Sequence, residues 1–215
     1  MSTSRTNVRS RTRRSPSGSG SRPTGLLIGV VALLVVALGL ALFGGSPASD
    51  FDVDAVASPT VTGAALAQNS VGSIAPQVTA PDLFGDGTVE IAAGETPTLV
   101  VFLAHWCQYC NGEVPVVVDW LAAGDLPEGV EVRAVATAID RTAPHYPPDT
   151  WLADRDWTVP TLVDADRSIM EAYGVPSFPY WVFLDADGEV QGTSGPLTAD
   201  DLTSIAESLV TSARP

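Results

Sequence analysis

The chain has 215 residues and a formal net charge of −14 at pH 7, with 25 acidic residues against 11 arginines and no lysine. That length allows one ordinary domain plus extra segments, and an acidic body argues against nucleic acid or anionic lipid as a partner. Two cysteines cannot build a disulfide framework of the kind that staples small secreted domains.

Charge is split along the chain. Arg5, Arg9, Arg11, Arg13, Arg14 and Arg22 precede residue 23, and no acid occurs before Asp50. Residues 1–24, rich in Ser, Arg, Gly and Pro, are expected to be disordered. Residues 26–43 (LLIGVVALLVVALGLALF) form an apolar run of 18 without a charge. At ~1.5 Å per residue this run reaches ~27 Å, close to a bilayer core of ~30 Å. A cleaved signal peptide and a buried core helix are the alternatives. The apolar part of a signal is usually ~7–15 residues. The run here is longer, residues 46–49 make a mediocre cleavage site, and Arg13-Arg14 lacks the continuation of a twin-arginine signal. A transmembrane signal-anchor over 25–45 is therefore expected. The arginine-rich head then stays cytoplasmic and the remainder lies outside, where disulfides form and persist. Residues 46–72, small and polar with no sustained period, are expected to be a flexible linker.

From about residue 73 to residue 215 the pattern is that of a folded domain. The apolar run over 98–104 predicts a strand covered on both faces. Val114, Val117, Val118, Leu121 and Ala122 predict a helix over 111–123, ended by Gly124. Residues 130–139 read as a second buried strand, which gives β–α–β with a right-handed crossover. A short helix over 150–154, a short strand over 160–163 and a helix over 167–173 capped by Asp166 follow. Strands over 180–184 and 189–193 flank Asp185, Ala186, Asp187 and Gly188, a hairpin signal. Residues 198–210 form an amphipathic closing helix, with Thr198 and Asp201 as a capping box. The order predicts an α/β fold, a mixed central sheet with helices on both faces.

Both cysteines lie in Trp106, Cys107, Gln108, Tyr109, Cys110, spaced C-x-x-C at the strand-to-helix junction. Such a pair makes a good redox centre. The free N–H groups and dipole of a helix start favour thiolate, so Cys107 is expected to attack and Cys110, one turn on and more buried, to resolve. A static disulfide here would be a poor staple, because it closes a very short loop. Half of a zinc site would need further ligands, and there are only two His and no second C-x-x-C. Glu113, three residues after Cys110, is either a proton carrier for Cys110 or an exposed surface acid. Pro115 is either a kink inside the helix or a first-turn proline. Trp106 and Trp181 either shield the pair and meet clients or belong to the core. Trp151 and Trp157 lie in the insertion before Pro160, and His145 reads as a loop histidine. No nucleotide, flavin or metal motif is present, so no cofactor is expected, and electrons must come from or go to another protein.

Residues 102–115, FLAHWCQYCNGEVP, resemble the thioredoxin superfamily. They are most similar to its membrane-anchored extracytoplasmic branch, the TlpA/ResA/DsbE-like thiol–disulfide oxidoreductases, with the motif W-C-x-x-C-x-x-E-x-P. Ala75-Pro76 and residues 86–89 look like that family's N-terminal hairpin. Residues 173–188, YGVPSFPYWVFLDADG, are similar to its Y-G-V-x-x-x-P-x-x-F-x-x-D-x-x-G segment. The resemblance covers about residues 73–213 and implies a thioredoxin fold. It implies a redox disulfide between Cys107 and Cys110, with Glu113 handling protons and Trp106, Gln108, Tyr109 and Phe178 in support. It identifies Pro179 as the cis-proline opposite the disulfide, with Pro176 as competitor, and leaves the Phe178 backbone to pair with an extended client peptide.

The implied partners are cysteine-containing exported proteins and an integral-membrane redox protein. Their reduction includes cytochrome c maturation as one role. The alternatives are a general disulfide-forming oxidase, a copper-binding module with His105 beside the pair, and a redox-dead interaction domain. There are departures from the family. Gln108-Tyr109 is neither the Gly-Pro nor the Pro-His dipeptide, Phe178 is bulky, and His105 stands where Thr or Glu is frequent. Val101 replaces a buried acid.

Overall fold

The computed structural model describes residues 51–212, Asn69 and Glu95 excepted. The tail and signal-anchor expected over 1–24 and 25–45 lie outside the described residues, and among those residues no helix is long and apolar enough to cross a membrane.

Two sheets build the domain. Strands β1 (Thr60–Thr62), β2 (Gln77–Pro81) and β3 (Thr88–Ile91) form an antiparallel sheet in that order. The larger sheet contains β4 (Thr98–Leu103), β5 (Glu131–Ala136), β6 (Thr161–Val163), β7 (Tyr180–Leu184) and β8 (Val190–Ser194). Its order is β6-β5-β4-β7-β8, with β4, β5 and β6 parallel and β7 antiparallel to both neighbours. Helix α1 (Gln108–Ala123) crosses from β4 to β5. Helices α2 (Pro148–Ala153) and α3 (Ser168–Ala172) are short, and α4 (Ala199–Ser212) closes the described chain. This is the mixed sheet that the thioredoxin resemblance implies.

Strand β4 is buried along its whole length, and its side chains alternate between two cores. Leu99, Val101 and Leu103 pack with Val114, Val117 and Trp120 of α1 and with Leu202, Ala206 and Leu209 of α4. Val100 and Phe102 pack on the other side with Val78 and Ile91 of the small sheet and with Ile169 and Tyr173. Helices lie on both faces as expected, and the three-stranded sheet shares the second face with α3. The continuous apolar run is thus explained, since each fully buried Val, Leu or Phe contributes roughly 1.5–3 kcal/mol. The pairing of Phe102 with Tyr180 brings the chain entering β7 beside the chain leaving β4. Any group just before Tyr180 therefore faces any group just after Leu103.

Local signals set the helix ends. Gly124 takes a left-handed φ of 80° and donates its N–H to Leu121 O, which closes α1. At α4, Asp201 N–H donates to Thr198 Oγ1 (3.2 Å) and Thr198 N–H to Asp201 Oδ2 (3.0 Å), a capping box with Asp in place of Glu. Pro115 lies inside α1, because the helix begins at Gln108 rather than at residue 111.

Two expectations are corrected. Asp166 does not cap α3. Arg167 holds the cap position with φ 67°, and Asp166 Oδ1 accepts the Ser168 N–H at 3.0 Å. The next two amides of the helix go to Asp164, whose carboxylate accepts Ile169 N–H and Met170 N–H at 3.0 Å each and the Thr137 hydroxyl at 2.7 Å. The second correction concerns the linker expected over 46–72, much of which is built into the domain. Val61 in β1 pairs with Val78, and Leu66 N–H donates to Ala172 O at 2.7 Å. A Cβ on Gly174, itself at φ 61°, would lie 2.7 Å from Leu66 O, so only glycine lets the segment pass. Further upstream, Arg141 forms ion pairs with Asp52 and Asp54, and Phe51 packs edge-on to Tyr146 with ring centroids 6.3 Å apart.

Asp164→Ala leaves two amides and a buried hydroxyl without an acceptor, so it is expected to lower stability by about 3 kcal/mol. Asp164→Asn, which keeps one oxygen acceptor, is expected to lose less. Urea denaturation midpoints of the two variants check this.

Candidate active site

Strand β4 ends at Leu103, and Ala104, His105 and Trp106 carry the chain to Cys107, which is the N-cap of α1. Cys107 N–H donates back to Ala104 O at 3.0 Å, which tightens the turn. The Cys107 sulfur accepts the Cys110 N–H at 3.4 Å, and its thiol donates to Phe178 O at 3.3 Å. Helix geometry thus places one cysteine at the free end and the other one turn inside. Cys107 keeps 8% of its surface and Cys110 none. Burial pushes the Cys110 thiol far above its ordinary range, and the nearby Cys107 and Glu113 push the same way.

The Phe178–Pro179 peptide bond is cis, and Pro176 is not among the cis prolines. Pro179 is buried, while Phe178 is half-buried and meets Trp106 edge-on at 5.9 Å. Trp106 is 40% exposed and is held by its indole N–H to Ala138 O at 2.8 Å. Tyr109 is 70% exposed, and Gln108 beside it faces solvent. The Cys107 sulfur thus lies beside Phe178, whose ring meets that of Trp106.

Glu113 is buried rather than exposed. Its Oε1 accepts the Trp181 indole N–H at 2.7 Å and the Leu197 N–H at 2.9 Å. Trp181 is a core residue that holds this carboxylate, whereas Trp106 is at the surface. Burial pushes the Glu113 carboxyl above its ordinary value, and the two hydrogen bonds oppose the rise.

A model of the AhpC/TSA family matches residues 71–193. The chain belongs to the AhpC/TSA family. The family match contains both cysteines, Glu113 and Pro179. Among curated proteins, the thiol-disulfide oxidoreductase ResA of Oceanobacillus iheyensis is 31% identical over 102 residues, covering 47% of this chain and 50% of ResA. The soluble secreted antigen MPT53 of Mycobacterium tuberculosis is 30% identical over 103 residues, covering 48% and 56%. The chain spans about half the length of these curated relatives.

Among solved structures, a secreted Mycobacterium tuberculosis disulfide oxidoreductase homologous to Escherichia coli DsbE is similar, with a TM-score of 0.51 and 26% identity. The match covers 61% of this chain and 95% of that one. A thiol:disulfide interchange protein of the thioredoxin family from Chlorobium tepidum superposes with a TM-score of 0.55 at 20% identity, covering 65% and 97%, which shows the thioredoxin fold alone.

Asn111 and Arg155, which also shape the site of this AhpC/TSA domain, carry no signal in the sequence. Asn111 donates from its amide to Cys107 O at 2.9 Å and accepts from the Trp151 indole at 2.9 Å and from Arg155 at 3.0 Å. His105 is buried, with Nδ1 against Pro144 O at 2.7 Å and Nε2 accepting Asp140 N–H at 3.1 Å. These partners fix the tautomer with the proton on Nδ1, and burial pushes the ring below its ordinary pKa, toward the neutral form. Both ring nitrogens are engaged, so His105 offers no free nitrogen to a metal beside the cysteines. Among the described residues no three His, Cys, Asp or Glu side chains group in a way that could hold a metal ion. His145 is exposed in the loop.

The raised Glu113 carboxyl has a stability consequence. The native state holds this proton above pH 4.5, where the unfolded chain gives it up, so native stability falls as pH rises through the raised value. Glu113→Gln keeps an oxygen for Trp181 and Leu197 and removes the titration. Its stability relative to the parent is expected to rise above pH 4.5 by about 1.4 kcal/mol per pH unit over that window, checked by urea denaturation between pH 4 and about 8.

Proposed function

We propose that this AhpC/TSA domain is a thiol–disulfide oxidoreductase acting on exported proteins outside the cytoplasm. The observation that carries this is the unequal placement of two sulfurs in one helical turn, Cys107 at the helix cap against Phe178 O and Cys110 fully buried behind it. The names of ResA and of the secreted disulfide oxidoreductase support the same reaction class.

In the reducing direction the Cys107 thiolate attacks a client disulfide. The client S–S bond breaks, one client sulfur leaves as thiolate and takes a proton, and a Cys107–client disulfide forms. Cys110 then loses its proton and attacks the Cys107 sulfur, which forms the Cys107–Cys110 disulfide and frees the second client sulfur as a thiol. Two electrons and two protons pass to the client. Glu113 is the carboxyl whose charge reaches Cys110, and it receives the proton that Cys110 must lose. The Phe178–Pro179 edge takes the client backbone as an extended strand, with Trp106, Phe178 and Tyr109 against its apolar side chains. A dithiol protein in the membrane returns the electrons, and residues 25–45 anchor the domain beside it.

The opposite direction gives a general disulfide-forming oxidase by the same steps reversed. The equilibrium potential against glutathione separates the two. A value near about −120 mV marks an oxidant, and one below about −250 mV a reductant of clients such as apocytochrome c. The copper-binding alternative is not favoured by the bonding of His105.

In cells expressing the full chain, Cys110→Ser is expected to accumulate mixed disulfides with exported proteins. These should be seen as slower bands on non-reducing gels and should be released by dithiothreitol. The Cys107→Ser, Cys110→Ser double variant should show none. If the single variant traps no more than the double, the exchange function is wrong.

A further inference from the structure

We propose that Asn111 and Arg155 are positioning residues that hold Cys107 in its reactive geometry. This rests on the exchange reading above and adds a residue pair to it. The Asn111 side chain has two donors and one acceptor oxygen with two lone pairs, and the structure uses all of them. Its amide nitrogen lies 2.9 Å from Cys107 O and 3.4 Å from His105 O, two carbonyls of the turn that carries the sulfur. Its oxygen takes the Trp151 indole N–H and an Arg155 N–H.

Arg155 is itself fixed. It donates to Trp151 O at 2.7 Å, and its guanidinium lies 5.6 Å from the centre of the Trp151 ring. The charge on Arg155 polarises the Asn111 amide, which makes its N–H groups better donors to the carbonyls they meet. Cys107 O also accepts the first helical bond, from Asn111 N–H at 3.1 Å. Main chain and side chain of one residue thus grip the same carbonyl and fix the backbone of Cys107, which aims Sγ at the Cys110 N–H. Arg155 is the only cation in this chain of contacts, and it reaches Cys107 through Asn111 rather than directly.

The measurement is the rate of Cys107 alkylation by iodoacetamide between pH 5 and about 9, on the reduced full chain, resolved by peptide mass. Asn111→Ala removes the grip without adding charge. Its Cys107 profile is expected to move to higher pH, with the rate at pH 7 at least about threefold below the parent. Asn111→Asp keeps an acceptor for Trp151 and Arg155, so it is the variant that folds if Asn111→Ala does not. It cannot donate to Cys107 O, and its profile is expected to move further. Arg155→Met is expected to move the profile in the same direction by less, and to add nothing in the Asn111→Ala background.

If the profiles of Asn111→Ala and Asn111→Asp match the parent while stability drops, the pair is a structural tie and the proposal fails. If only Asn111→Asp moves, charge acts through space and the proposal also fails. No client takes part in this measurement. An unchanged profile therefore removes the positioning role and leaves exchange standing, and a failed trapping experiment does the reverse.

Discussion

The amide of Cys110 reaches the Cys107 sulfur at 3.4 Å, and the rest of the site depends on that contact. It can form only at a helix start, because only there does a backbone N–H of the helix lack an intrahelical acceptor. The same contact makes the two sulfurs unlike. One caps the helix and touches solvent, and the other is sealed among Val114, Val117 and the β4 side chains. Sulfurs one turn apart are close enough to exchange a bond yet meet opposite solvation. The proposed division between attacking and resolving sulfur is a consequence of that difference.

Holding the turn takes bonds from several directions. Asn111 grips it from the helix side. His105 and Trp106 tie it to Pro144, Asp140 and Ala138 in the loop after β5. Phe178 O meets the sulfur from the entry to β7. That loop also holds the start of the described chain, through Tyr146 with Phe51 and Arg141 with Asp52 and Asp54. The segment upstream of the first sheet is thereby part of the same body as the redox turn, in contrast to a free linker.

What the sequence revealed follows the range of the forces involved. Strand β4, helix α1 and its Gly124 end, and the capping box at Thr198 are written in apolar runs and cap residues only a few positions apart. The C-x-x-C turn and Pro179 were legible for the same reason, as short motifs with fixed spacing. Strand β1 has three residues and shows no period, and its pairing with β2 comes from tertiary contact. The Ile169 and Met170 amides of α3 go to Asp164, buried upstream of the residue that looked like the cap. Asn111 meets partners 40 and 44 residues away, a link that no local pattern encodes. Glu113 was visible as an acid under Cys110, but its burial against Trp181 and Leu197 depends on strands and loops brought together by the fold.

The central claim is that Cys107 leads and Cys110 follows. Its most direct test compares the Cys110→Ser and Cys107→Ser full chains, each with one thiol, reacting with oxidised glutathione at pH 7. Cys107 is expected to form its glutathione adduct at least about a hundredfold faster than Cys110. Equal rates, or a faster Cys110, would contradict it.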